Sequence, residues 1–339
     1  MSRVQSLSAA LDSTSRLEVD ATKERLECLL RQEDEHYMCS DYVTEGDEEY
    51  KSDSCHSLLE ECARVVTDLA FSSTPSEARM QTVVSSACVK DMAESQEQNP
   101  AACGKKMSRS SSSSVSSSFV RDGKSPASNL VGHWRQQMIE WSNLVIDSFG
   151  MDREVVAVSF NILDRYVAHE TQSTIPITRD DYQLFCMSSL FMAVKMLESY
   201  PRKLTADALV DMSRGFYASD DILYTEREIL RALSWYVNPT TTISYCRMYW
   251  ELFPTPVSFE FENICHSLSE MALADASFLC RKPSLIACAA ILHAARMENV
   301  HASVTEQFLQ ELHELLNLQQ NSGELDAIYR RLEMLMSAR

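Results

Sequence analysis

From Trp134 almost to the C-terminus, apolar residues return every three or four positions. Residues 133–149 set Trp134, Met138, Trp141, Leu144, Val145 and Phe149 on one stripe, and 152–168 repeat it with Val155, Val158, Ile162 and Val167. That period belongs to a helix with one buried face; a half-buried strand alternates every second residue. The segment Leu184–Met196 is apolar nearly all round, which predicts a helix enclosed by others. Only 7 glycines occur in 339 residues, and such scarcity disfavours the tight turns of a β architecture.

Local signals divide the helical part. Thr205 ahead of Ala206-Asp207-Ala208 and Ser219 ahead of Asp220-Asp221 read as N-caps with acids in the first turn. Asn238-Pro239 ends a first bundle, since the residue before proline is pushed out of the helical region. A second set of helices is predicted at 240–252, 257–275, 283–297, 303–318 and 322–336. Pro283 opens the third of these, whose apolar face is rich in small residues and matches the enclosed helix of the first set. The expected fold is all-α: two tandem five-helix bundles, 127–238 and 239–339, behind an N-terminal region at 1–126.

That N-terminal region differs in kind. Residues 15–33 predict one amphipathic helix with Leu26, Leu29 and Leu30 on a face. An acidic stretch follows at 45–53, then a weaker helical pattern at 56–72. The serine run at 108–118 is low-complexity sequence that cannot bury apolar surface. Residues 40–126 are expected to be largely disordered.

Charge and composition exclude several function classes. Residues 1–126 carry 14 basic and 22 acidic side chains, and 127–339 carry 17 and 27, giving −8 and −10. Nucleic-acid binding draws its affinity from cationic contacts with phosphate, so no nucleic-acid partner is expected. No glycine-rich phosphate loop occurs, and no Ser/Cys nucleophile pairs with a base, so the chain reads as a non-enzyme without a cofactor. The 11 cysteines include no Cys-x-x-Cys pair and no zinc-like spacing; they read as buried thiols of a reducing compartment, with no metal. Neither a signal peptide nor a membrane-length apolar run is evident, so the expectation is a soluble protein of nucleus and cytoplasm, off the membrane.

Four fragments in register carry a resemblance. They are Trp-Arg-Gln-Gln-Met-Ile-Glu-Trp (134–141), Ile-Leu-Asp-Arg-Tyr-Val (162–167), Leu-Phe-Met-Ala-Val-Lys-Met-Leu-Glu (190–198) and Tyr-Thr-Glu-Arg-Glu-Ile-Leu-Arg-Ala-Leu-Ser-Trp (224–235). Together they resemble the cyclin box, and residues 29–42 resemble stretches upstream of the box in D-type-like cyclins, including the expanded algal groups. The second half resembles a cyclin box more loosely. The resemblance implies a two-box core cyclin of the D/A/B kind, a regulatory subunit that binds and activates a cyclin-dependent Ser/Thr kinase in cell-cycle control.

The resemblance also assigns roles. Lys195 and Glu226 match the charged pair that grips the kinase's regulatory helix, with Met196, Leu230 and Trp235 as the apolar patch beside it. By periodicity alone, Lys195 is a snorkelling lysine and Glu226 an ordinary helix acid. Arg135 and Asp164 match an ion pair inside the bundle, and Leu184 a core position. Trp134, Gln137, Met138, Trp141 and Gln183 match the groove that takes substrate or inhibitor docking peptides, although a ring and an amide replace apolar groups there. Thr74-Pro75 and Ser125-Pro126 are minimal proline-directed phosphosites, at Thr74 and Ser125. The rival reading is a cyclin-fold scaffold, or a binding module like those of transcription factors, that activates no kinase.

Overall fold

A computed structural model of the chain describes residues 19–43, 127–172, 177–198 and 204–338. Among the described residues all regular structure is helical. Helix α1 covers 19–32 and continues into a π-helical turn, Glu33–Tyr37. The first bundle is α2 (Ala127–Ser148), α3 (Glu154–Glu170), α4 (Arg179–Leu197), α5 (Ala206–Met212) and α6 (Ser219–Ala232). The second is α7 (Thr242–Leu252), α8 (Phe259–Ala274), α9 (Pro283–Met297), α10 (Ala302–Leu312) and α11 (Leu318–Ser337). The expected disorder falls mainly on residues outside those described, as do the 56–72 pattern, Thr74 and Ser125.

Each bundle wraps one helix. Helix α4 lies at the centre of the first, with Cys186, Leu190 and Val194 fully buried. It begins on a reciprocal cap, in which Thr178 Oγ1 accepts from the Asp181 N–H while the Asp181 carboxylate accepts from the Thr178 N–H. Helix α9 is its counterpart, lined by Ala287, Cys288, Ala290 and Ala294, whose small side chains let neighbouring helices approach closely. Burial pushes the Cys186 and Cys288 thiols up to about 12, so both stay protonated and behave as small apolar groups.

Several boundaries differ from expectation: in the second bundle α10 stops at Leu312 rather than 318, and α11 starts at Leu318 rather than 322. Helix α2 starts six residues before 133, at Ala127. Helix α6 takes its cap one residue early: the Asp221 carboxylate accepts the Ala218 N–H, while the Ser219 hydroxyl donates to Asp207 instead. Asp221 serves because a carboxylate at the third helical position reaches the free N–H groups as well as a cap hydroxyl does. Ahead of Asn238-Pro239, α6 ends at Ala232, Ser234 and Trp235 both take left-handed backbone, with φ of 52° and 68°, and Val237 still packs on the first core.

Helix α1 joins the bundles. Leu26 is fully buried in the second core, flanked by Val19, Leu29 and Leu30. The π turn rotates Glu33 inward, where its carboxylate accepts from the Ser284 N–H at 2.9 Å and the Ser284 hydroxyl at 2.6 Å. Glu33 thereby caps α9, whose own N-cap position, Lys282, has no side-chain acceptor. Past the turn, the chain crosses to the first bundle: Asn161 donates to the Tyr37 carbonyl, and the Arg165 guanidinium lies 5.0 Å from the centre of the Tyr37 ring. A second tie runs through Glu154, which accepts from Thr241 and Arg247 at 2.5 Å each, and from Ser244.

Candidate functional site

The enclosed helix α4 leaves the core at its C-terminal end, and that exit places Lys195. Its ammonium donates to a Glu226 carboxylate oxygen on α6. It also sits 4.2 Å from the centre of the Phe191 ring, one helical turn back. Glu226 itself rides on an amphipathic helix, at the edge of the face that buries Ile222, Thr225 and Ile229. The two charges are therefore fixed to rigid elements and face outward together.

Apolar side chains flank the pair. Met196 and Leu197 follow Lys195 directly and are exposed, as is Leu223, while Leu230, one turn after Glu226, is half-buried. Trp235 is 72% exposed on left-handed backbone just past α6. For non-glycine residues such backbone costs about 1–2 kcal/mol per residue. An exposed indole held on a costly backbone is a feature for which core packing supplies no reason. The next residue, Tyr236, stacks on His36 at 3.7 Å, so the N-terminal segment reaches the edge of this face.

Arg135 and Asp164 lie deeper, 4% and 5% exposed. Arg135 makes a two-pronged bond to both Asp164 oxygens, at 3.0 and 2.9 Å, and donates at 2.8 Å to the Leu273 carbonyl of the second bundle. The Tyr42 hydroxyl donates to Asp164 at 2.5 Å. Burial opposes the Arg135 charge, but the Asp164 carboxylate more than offsets it and holds the guanidinium protonated above its ordinary range. Burial and the same carboxylate push the Tyr42 phenol up. Sequence reasoning found the Arg135–Asp164 pairing and missed Tyr42 and the Leu273 carbonyl. Only the likeness of residues 29–42 to segments upstream of a cyclin box pointed toward Tyr42.

The groove residues fare differently. Met138 and Trp141 are 5% and 6% exposed, packed in the first core by the inward face of α2. They offer little surface to a docking peptide. Trp134, Gln137 and Gln183 are half-buried, and the Trp134 ring rests 6.1 Å from that of Tyr182. Leu184 is half-buried against the first core rather than inside it, because it sits on the outer side of the first turns of α4.

Among the described residues, no group of three or more His, Cys, Asp or Glu side chains is arranged to hold a metal ion. No helix among them is long and apolar enough to cross a membrane.

The chain is similar to known proteins. The family model for the cyclin N-terminal domain matches residues 106–238, and that for the cyclin C-terminal domain matches 240–339. A G2/mitotic-specific cyclin-2 of Antirrhinum majus is 33% identical over 164 residues, 48% of this chain and 35% of its own length. A cyclin-A2 of Xenopus laevis is 26% identical over 167 residues, 49% of this chain and 38% of its own. The matches thus span little more than a third of these relatives. A solved viral cyclin from herpesvirus saimiri is 19% identical with a TM-score of 0.47, covering 60% of this chain and 86% of its own. With the two domain models matched end to end over both bundles, the chain belongs to the cyclin family and is a two-box cyclin.

Proposed function

We propose that this chain is the non-catalytic regulatory subunit of a cyclin-dependent Ser/Thr kinase and acts in cell-cycle control. The observation that carries the reading is the Lys195–Glu226 pair, facing outward from two rigid helices among exposed apolar groups. Paired charges at the rim of an apolar patch fix register and orientation, and the patch supplies affinity. Met196, Leu230 and Trp235 are the patch residues, with Trp235 as the anchor because buried aromatic groups dominate interface energetics. On binding, the face packs on the kinase's mobile regulatory helix and favours its active position, in which the kinase's own glutamate meets its ATP-binding lysine. The relatives named as G2/mitotic-specific cyclins support a cell-cycle role.

The test is co-purification with a panel of cyclin-dependent kinases, each assayed on a Ser-Pro substrate, for wild type and for Lys195→Ala/Glu226→Ala. The pair is partly exposed, so its removal costs less than about 1 kcal/mol of stability and the variant stays folded. Loss of binding and activation in the folded variant supports the reading. A wild type that binds no kinase, or binds without raising activity, overturns it in favour of a scaffold.

A further inference from the structure

On the second bundle, away from the Lys195–Glu226 face, a groove of about 290 Å³ opens where α8, the end of α9 and the end of α11 diverge. Its floor is Ile264, Leu268 and Met271 of α8; Met297 and Met336 form the walls. Of the wall residues, Met297 is 52% exposed. The helices around it are fastened elsewhere: Arg331 bonds Asp275 at 2.7 Å, and the His293 ring stacks on Tyr329 at 3.7 Å. The fold therefore keeps α11 in place without closing this side.

Glu260 is the one charged residue among those that line the groove, and α8 carries no lysine or arginine. Next to the wall residue Met297, Glu298 accepts from the Ser258 hydroxyl at 2.8 Å. The nearest cation on α9, Arg296, is taken up by Glu333 at 2.7 Å. Methionine walls suit a partner whose exact shape varies, because the side chain is unbranched and polarizable. We infer that this groove docks a cationic amphipathic helix of another protein, its apolar stripe on the Ile264–Met271 floor and its Lys/Arg flanks beside Glu260 and Glu298. Such a mode is helix-in-groove recognition read at every third or fourth residue. It stands independently of the kinase reading.

The probe is a fluorescein-labelled 14-residue helical peptide of leucine and lysine, with a leucine/glutamate counterpart, titrated into the full chain by anisotropy. Wild type is expected to bind the lysine peptide at least about tenfold tighter than the glutamate one, and more weakly as salt rises. Met297→Gln/Met336→Gln, which keeps length and charge, is expected to lower affinity by about fivefold or more through lost apolar burial. Glu260→Gln/Glu298→Gln, at exposed or capping positions, lowers it by a few-fold and flattens the salt dependence. Equal affinity in the methionine variant, with both proteins folded by circular dichroism, overturns the proposal, because attraction to an acidic surface alone would then explain the binding. So does a wild-type dimer in sedimentation that the methionine variant abolishes, since a second copy would then cover the groove.

Discussion

Replacing Asp164 by alanine isolates the buried Arg135 charge. In the folded protein the guanidinium loses two bonds, at 3.0 and 2.9 Å, and keeps the Leu273 carbonyl and the face of Phe160, 5.5 Å from its ring centre. Neither neutralises a charge that is 4% exposed. Breaking such a pair from one side costs about 3–5 kcal/mol. Tyr42, whose hydroxyl donates to the same carboxylate, is stranded as well, so the upper end of that range applies. A folded domain holds only about 5–15 kcal/mol in total. The assay is urea unfolding of the full chain followed by tryptophan fluorescence, since Trp134 and Trp141 both sit on α2 beside Arg135. With a slope of about 1–3 kcal/mol per molar urea, the midpoint is expected to fall by about 1 M or more. Removing both charges, as Arg135→Met/Asp164→Leu, is expected to recover most of the loss, and adding Tyr42→Phe to recover more, because no donor is then left without an acceptor. An Asp164→Ala loss below about 1 kcal/mol, or a double variant no better than the single, refutes the buried-pair account.

Two further outcomes follow from the geometry. Burial raises Glu33 from 4.5 to about 7 against the opposing Ser284 bonds and Lys282 charge, so its ionisation opposes docking of α1. The stability this site adds is fully present below pH 4.5 and is lost as pH rises through about 7, and the difference between wild type and Glu33→Gln in thermal unfolding should shift against wild type across that window. A difference that is flat from pH 4.5 to 8 rejects this. Trp235→Gly is expected to move two properties in opposite directions: unfolding free energy rises by about 1 kcal/mol as left-handed strain is relieved, while kinase affinity falls by about 2 kcal/mol or more with the anchor gone. Calorimetry and a binding titration on the same variant separate the two, and unchanged affinity removes Trp235 from the interface.

The helices were legible because their signal is local. Pro283 opens α9 as expected, and the Leu26, Leu29 and Leu30 stripe does bury against a core. What could not be read was which core: a stripe announces that it will be covered and says nothing of the cover. Leu26 meets a bundle more than two hundred positions away, and Tyr245 of that bundle donates to the Leu29 carbonyl across 216 residues. The same limit hid Tyr42 and Glu33, whose partners are distant and whose own neighbourhoods look like an ordinary acidic segment. Periodicity alone counted Lys195 and Glu226 as solvated helix charges; only the likeness of four separated fragments picked them out. For Met138 and Trp141 the reverse held. Their three-residue spacing already put them on the stripe that faces inward, and the structure follows the stripe.

The cap that Glu33 places on α9 has a consequence in time. Its partner Ser284 lies 251 residues later in the chain. At about 5–20 residues per second, a ribosome releases Ser284 roughly 13–50 s after Glu33. For most of that interval the first bundle is itself still being made; it is complete in sequence only over about the last 3–10 s, and the Leu273 carbonyl that closes over Arg135 arrives within that window. A newly made N-terminal bundle therefore waits about 2–8 s for the carbonyl over its buried charge, while the apolar α1 stripe stays uncovered for the whole longer interval. That is the period in which a chaperone would meet this protein, and the arrival of α9 is the event that ends it.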